Sequence, residues 1–268
     1  MADRSAIEWT DATWNPVTGC TKVSPGCAHC YAETFAERFR GVPGHPYEQG
    51  FDLQLRPERL SIPLLWRAPR RIFVNSMSDL FHETIPDEYV LAVFEVMEEA
   101  SWHQFQVLTK RHGRLAALAP HLPWPENVWV GVSIENNRWV ERAAALRTVP
   151  AAVRFISAEP LLGPLSDLNL GGIDWLIAGG ESGPRSRPPK IEWFRDLRDR
   201  CLTAGVPFFF KQWGGRHPTS GGRQLDGRTW DEYPEPRRRS TRRRAAGVVD
   251  HSDDRLFVPA GVTATLAG

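Results

Sequence analysis

The sequence predicts an α/β fold, a full or partial TIM-like (β/α) barrel of parallel strands. Short apolar, β-branched runs alternate with longer helical patterns, and six or seven such units fit within 268 residues. Nearly every run also ends in a polar cluster. Strands alternating with helices imply βα units around a parallel sheet. In a parallel barrel all strand C-termini open on one face, where a site is built. An open doubly wound sheet obeys the same right-handed crossover rule, but the number and length of the units fit a barrel better.

The first strand candidate is "ATWNPV" (12–17), just before three clustered cysteines. Tyr31, Phe35 and Phe39 mark an apolar helix face directly after them. Residues 41–70, rich in Pro and Gly, read as an insertion wrapped on the surface. Strand runs follow at "RIFVNS" (71–76), "FQVLT" (105–109), "VWVGVS" (128–133), "VRFIS" (153–157), "WLIAGG" (175–180) and "PFFFKQW" (207–213). In 86–100, Val90, Val93, Phe94 and Met97 recur at helical spacing. In 191–204 the stripe is Ile191, Phe194, Leu197 and Cys201, which makes Cys201 a buried structural thiol. Residues 1–235 therefore read as one domain. Periodicity fades after Pro234, so 236–268 reads as a disordered, arginine-rich tail.

Hydrophobic residues at 41% and charged residues at 24% describe an ordinary soluble globular chain. No run of about 18 apolar residues occurs, which argues against a membrane span. The acidic, polar N-terminus does not read as a secretion signal, and a cytoplasmic location is expected. The formal net charge of +1 includes six arginines in "RRRSTRRR" (237–244), which leaves about −5 on the rest. The tail can add salt-sensitive affinity for nucleic acid, or it is simply a solvated extension.

The strand ends carry Asn75-Ser76-Met77-Ser78-Asp79, Thr109-Lys110-Arg111, Ser133-Ile134-Glu135-Asn136, Ser157-Ala158-Glu159-Pro160, Gly179-Gly180-Glu181-Ser182 and Lys211-Gln212. Helix capping accounts for Ser133 or Asn136. It does not account for Lys110 or Lys211, because a cation is disfavoured at a helix N-terminus. Cys20, Cys27 and Cys30 follow the first strand with C-x6-C-x2-C spacing. Three thiolates can hold three irons of a 4Fe–4S cube and leave the fourth iron open. A structural zinc would need a fourth ligand, and His29 is the near candidate. Its place directly before Cys30 tends to turn its ring away from a metal shared with Cys27. Cluster, zinc and free thiols all stay open on the residues alone.

A three-cysteine loop ahead of a (β/α) barrel resembles radical S-adenosylmethionine (SAM) enzymes. The usual spacing there is C-x3-C-x2-C, so this first gap is three residues longer. "NPVTGCTKVSPGCAHCYA", "IFVNSMSDLFH", "VLTKR", "GVSIEN", "SAEPLLGP", "GGESGP", "FFKQWGG" and "LDGRTWDEYP" together resemble a phage and bacterial three-cysteine family, known by the phage names Gp thirty-seven and Gp sixty-eight. "VLTK" is similar to a lysine-bearing strand end in spore photoproduct lyases. The resemblance implies a 4Fe–4S cluster on Cys20, Cys27 and Cys30, SAM as cofactor, and a reductant such as flavodoxin or ferredoxin. It implies Lys110 for the SAM carboxylate, Ser76 or Asp79 for its amine, and Ser133 and Glu135 for carboxylate or ribose. Gly179 and Gly180 would admit adenine, while Glu159 and Glu181 would complete the pocket or meet substrate. Tyr31 would shield the cluster or pack beneath its helix.

Eleven tryptophans are many for this length, and Trp9, Trp14, Trp66, Trp124, Trp129 and Trp213 fall near loops or strand ends. Aromatics with arginines can stack nucleobases, so DNA or RNA is one candidate substrate. The acidic body weighs against it, leaving peptides and small metabolites as rivals. The non-enzymatic alternative is a zinc-stabilised nucleic-acid-binding protein of phage or mobile-element origin. A third reading is an electron-transfer cluster without SAM.

Overall fold

The structure, a computed structural model, describes residues 5–217 and 220–235, so the arginine-rich tail expected at 236–268 lies outside the described residues. Seven parallel strands make the central sheet: β1 (Ala12–Trp14), β2 (Arg71–Val74), β3 (Gln104–Thr109), β4 (Val128–Ser133), β5 (Val153–Ala158), β6 (Trp175–Gly179) and β7 (Phe208–Gln212). Each pairs with its neighbours in sequence, and the sheet curls into a half-barrel edged by β1 and β7. The partial form of the predicted barrel is thus the one observed.

The helices are α1 (Tyr31–Ala36), α2 (Ile62–Leu65), α3 (Asp87–Glu99), α4 (His112–Leu118), α5 (Glu141–Arg147) and α6 (Ile191–Ala204). The last four carry the crossovers β2→β3, β3→β4, β4→β5 and β6→β7. No helix among the described residues is long and apolar enough to cross a membrane. In α3, Asp87 and Glu88 occupy the first turn, where the helix dipole favours anions, and Val90, Val93, Phe94 and Met97 are buried. Gly205 closes α6 in the left-handed conformation that suits a glycine cap.

Pro16 follows β1 closely, and a short antiparallel ribbon then pairs Val17–Thr18 with Gln54–Leu55. The Trp14 indole donates to the Arg59 carbonyl at 2.8 Å. Both contacts tie residues 41–70 to the first strand. Strand β2 stops at Asn75, whose φ of 60° takes the chain out of extended geometry.

Side chains alternate across the sheet, and the two faces hold different cores. Ile72, Val74, Val107, Val130, Ile156, Leu176 and Phe210 pack against the helices. Cys201 is among their partners, fully buried, and burial pushes its thiol up to about 12. The concave face carries an aromatic plug of Trp9, Phe73, Trp129, Phe155, Trp175 and Phe209. Trp9, Trp14 and Trp129 are buried in these cores and so present no ring to a nucleobase.

The apolar face expected on α1 is corrected by the structure. Ala32 and Ala36 are its buried residues, while Tyr31 and Phe35 are 57% and 43% exposed. The small alanines let the helix sit close on the barrel, which leaves its aromatic side facing outward.

Candidate functional site

Continuing the strand alternation by one step directs Asn15, Lys110, Glu135, Glu159 and Glu181 toward the plug's side of the C-terminal mouth, which Lys211 joins from within β7 and Asn75 from the turn that ends β2. The cysteine loop leaves β1 and is fastened to several of the other strand ends. Beyond β4, the Ser24 hydroxyl donates to the Glu135 carboxylate. Gly26 lies so close that a Cβ there would fall 2.4 Å from Glu135 Oε1, so only glycine fits without a shift. Beyond β6, His29 Nδ1 is 3.1 Å from Glu181 Oε2, and Arg187 donates to the Pro25 carbonyl at 2.9 Å. Beyond β3, Arg111 donates to the Thr21 carbonyl at 3.0 Å and approaches Cys20 Sγ at 3.8 Å. The Tyr31 hydroxyl donates to the Ser76 carbonyl beyond β2 at 2.5 Å.

The carboxylates expected to line a cofactor pocket are engaged inside the protein. Asp79 accepts from the Thr109 hydroxyl and from the Phe81 and Lys110 amides. Glu135 is fully buried between Ser24 and Arg142, whose guanidinium donates to Oε2 at 3.0 Å. Glu159 pairs with Lys211 at 3.1 Å. Glu181 pairs with Arg187 and His29. Ser76 and Asn15 bond to each other at 3.2 Å. The close approach expected at Gly179 and Gly180 is toward the protein itself. A Cβ on Gly179 would fall 2.6 Å from Glu159, and one on Gly180 would overlap the Trp213 carbonyl.

Three groups at the mouth stay open. Lys110 makes no side-chain hydrogen bond or ion pair among the described residues, and its charge acts on Cys30. The Asn75 amide is buried with neither its oxygen nor its nitrogen bonded. Ser133 is a buried residue whose hydroxyl has no hydrogen-bond partner among the described residues.

The three loop thiols are partly buried. Burial pushes Cys20 up to about 11, reinforced by Asp79 and opposed by Arg111. Burial also raises Cys30, against the Glu33 and Ala32 amides and Lys110. Cys27 acts electrostatically on both. Burial thus favours the thiol form of Cys20 and Cys30, which argues against a free nucleophile there, and any metal that bound them would have to displace their protons. Among the described residues, no three His, Cys, Asp or Glu side chains are gathered as a metal-holding group.

Sequence reasoning passed over Arg142 and Arg187, the cations that pair with the loop's carboxylate partners, and took in Arg111 only as part of the polar cluster after β3, with no role. Arg142 lies a helical segment beyond Glu135, and nothing in their spacing announces a pair. Asn75 was legible within the polar cluster after β2, but not its unbonded amide.

A family profile described as a protein of unknown function, DUF5131, matches residues 4–234. The chain belongs to this family. No curated protein and no solved structure matches it. The DUF5131 match takes in the whole half-barrel, the cysteine loop and every mouth residue named above.

One acid-dependent contact within the DUF5131 region gives a direct test. Burial pushes Glu181 up, but hydrogen bonds from Arg187 and His29 outweigh it and hold the carboxyl below its ordinary value. A carboxyl depressed on folding adds stability above its unfolded pKa, roughly 4.5, and loses it as pH falls through the lower folded value. Thermal midpoints of the wild type and Glu181→Gln should therefore differ at pH 7 and converge below about pH 4. Parallel curves down to acid would show that the tether contributes nothing.

Proposed function

We propose that this protein is an iron–sulfur, SAM-dependent radical enzyme on a half-barrel of radical-SAM type. The observation that carries the reading is the loop of three partly buried thiols fastened across the mouth by Ser24, His29 and Arg111, together with Lys110 at the end of β3, whose ammonium has no hydrogen-bond or ion-pair partner among the described residues. Cys20, Cys27 and Cys30 would hold the cluster and leave one iron open. When bound, the reduced cluster supplies the electron that cleaves the SAM sulfonium. Lys110 then serves as the counter-ion for the methionine carboxylate, and the Asn75 amide and Ser133 hydroxyl supply open hydrogen-bonding groups. Glu135, Glu181 and Arg111 hold the loop in place, and the aromatic plug closes the barrel floor to water. The resemblance to the phage three-cysteine family and to spore photoproduct lyases supports the same reading. It also favours a nucleic-acid substrate and a flavodoxin or ferredoxin as reductant.

Anaerobic reconstitution should give about four irons per chain. Reduction with SAM should then release 5′-deoxyadenosine. Cys27→Ser should lose iron and cleavage together. Lys110→Ala should keep its iron but weaken SAM binding by roughly tenfold or more. Iron without cleavage would favour the electron-transfer reading. The zinc reading has one contact in its favour, since a carboxylate such as Glu181 on His29 is how zinc-bound imidazoles are oriented. One tightly held zinc, no brown chromophore and no SAM cleavage would replace the first reading with that one.

A further inference from the structure

Beside the mouth, on the β1 edge, a cavity of about 360 Å³ is walled by Phe35, His45, Tyr47 and Arg59 over a floor of Thr13, Asn15 and Ser76. The volume sits within the range of about 300–1,000 Å³ usual for small-molecule sites. We infer that this cavity binds a nucleotide, its base against the aromatic wall and its phosphate on Arg59. The inference rests on the proposed reaction at the mouth and names the substrate class that the site takes.

The wall is a set of interlocked rings. Phe35 meets Tyr47 edge-on at 5.6 Å and 90°, and His45 stacks on Phe39 at 3.8 Å and 15°. Each ring is thereby braced by another, which suits a flat heterocycle better than a flexible chain. Phe35 remains 43% exposed, a large apolar surface left open on a helix whose alanines do the packing. The floor is polar. Asn15 bonds Ser76 and the Met77 amide, while the Thr13 hydroxyl has no hydrogen-bond partner among the described residues. A base edge can therefore be met by hydrogen bonds where its faces are met by rings.

Arg59 supplies the charge. Its side chain is only 14% exposed, and its one ion pair is the Nε contact with the exposed Glu58 at 3.4 Å. The terminal guanidinium nitrogens make no hydrogen bond among the described residues, and such a planar fork matches phosphate. Position links the cavity to the mouth. Phe35 stands five residues beyond Cys30 on α1, roughly 8 Å along the helix axis.

The test is equilibrium binding of adenosine 5′-monophosphate, adenosine and inorganic phosphate to the full chain, without added iron or SAM. Saturable binding of the nucleotide is expected. Phe35→Ala and Tyr47→Ala should each weaken it by about tenfold or more, the usual size of one aromatic–base contact. Arg59→Gln should remove the preference for nucleotide over nucleoside and leave adenosine binding unchanged. Lys110→Ala should change none of these affinities, which separates the cavity from the proposed SAM site. Circular dichroism and thermal midpoints of Phe35→Ala confirm folding, since Phe35 is not a core residue. A short single-stranded DNA that outbinds the nucleotide and weakens in the same variants names a strand as the source. A strand insensitive to them names the free nucleotide. No saturable nucleotide binding, or equal binding in Phe35→Ala and Tyr47→Ala, overturns the inference. Failure of SAM cleavage leaves this measurement untouched, so the two readings fail separately.

Discussion

Replacing Glu135 by alanine is expected to lower the unfolding free energy by about 3–5 kcal/mol, the usual consequence of removing one partner of a buried ion pair. Arg142 is 1% exposed and Glu135 is 0% exposed, so the guanidinium left behind would have no water to replace its partner. Burial already pulls Arg142 below the ordinary arginine range, even with Glu135 and Glu141 beside it. Arg142 also donates to the Ser133 carbonyl at 2.7 Å and lies over the Trp139 ring at 4.2 Å. These contacts fix its head in place, so it cannot swing out to solvent. The double variant Glu135→Leu with Arg142→Met should recover most of the loss, because an apolar pair of similar volume needs no charge compensation. Urea denaturation checks both. A loss under about 1 kcal/mol in Glu135→Ala would mean that water reaches Arg142, as at an exposed pair.

The same substitution carries a functional consequence. Glu135 receives the Ser24 hydroxyl and lies against Gly26, so it is the socket into which the middle of the cysteine loop fits. Recovery of stability in the double variant should not restore that socket. Under the proposed function, the double variant should fold and yet take up less iron than wild type. The wild-type iron content in that variant would show that the loop holds its shape without Glu135.

The half-barrel was legible because its signal is redundant. Each strand is a β-branched or aromatic run with a polar end, and the crossover helices α3 and α6 show clean 3.6-residue stripes. Boundaries moved by a residue or two where a local event intervened, as at Asn75, whose positive φ ends β2 before "NS". Helices α4 and α5, of seven residues each, are too short to declare a period. The mouth was legible as residue types but not as partnerships. A strand-end glutamate looks the same in sequence whether it faces a ligand or a cation, because its partner is set by how the following loop or helix folds back (Arg142, Arg187) or by a later strand (Lys211), not by spacing. Arg142, Arg187 and Lys211 turned three candidate ligands into structural carboxylates. The α1 aromatics misled for the opposite reason. Their spacing marks a face, but only the neighbouring alanines, small enough for close packing, show which face turns inward.

Trp175→Ala should be the most damaging single change on the concave side, at about 3–5 kcal/mol for loss of a buried tryptophan. Trp175 is fully buried at the centre of the plug. Its ring meets Trp9 at 6.3 Å, Trp129 at 6.1 Å, Phe155 at 5.7 Å, Phe209 at 6.0 Å and Tyr233 at 5.1 Å. The rings around it come from β4, β5, β7 and the two flanking segments, so no single neighbour can move in to fill the space. Incomplete collapse places the expected loss toward the upper end of the range. The indole also donates to the Glu232 carbonyl at 2.8 Å, and alanine leaves that acceptor unpaired. Trp175→Phe should recover part of the loss by refilling volume, without restoring that bond. Denaturation of the three proteins gives the order wild type, phenylalanine, alanine. The functional readout should run differently from that order. Ser133 pairs with Ser157 in the register above the plug, and the strands there keep their spacing in the phenylalanine variant. Iron uptake and 5′-deoxyadenosine formation should therefore survive in Trp175→Phe under conditions where it is folded, while Cys27→Ser loses both at wild-type stability. If the phenylalanine variant is folded but takes up no iron, the barrel floor and the cysteine loop are mechanically coupled, and the mouth is not the separable unit that its hydrogen bonds describe.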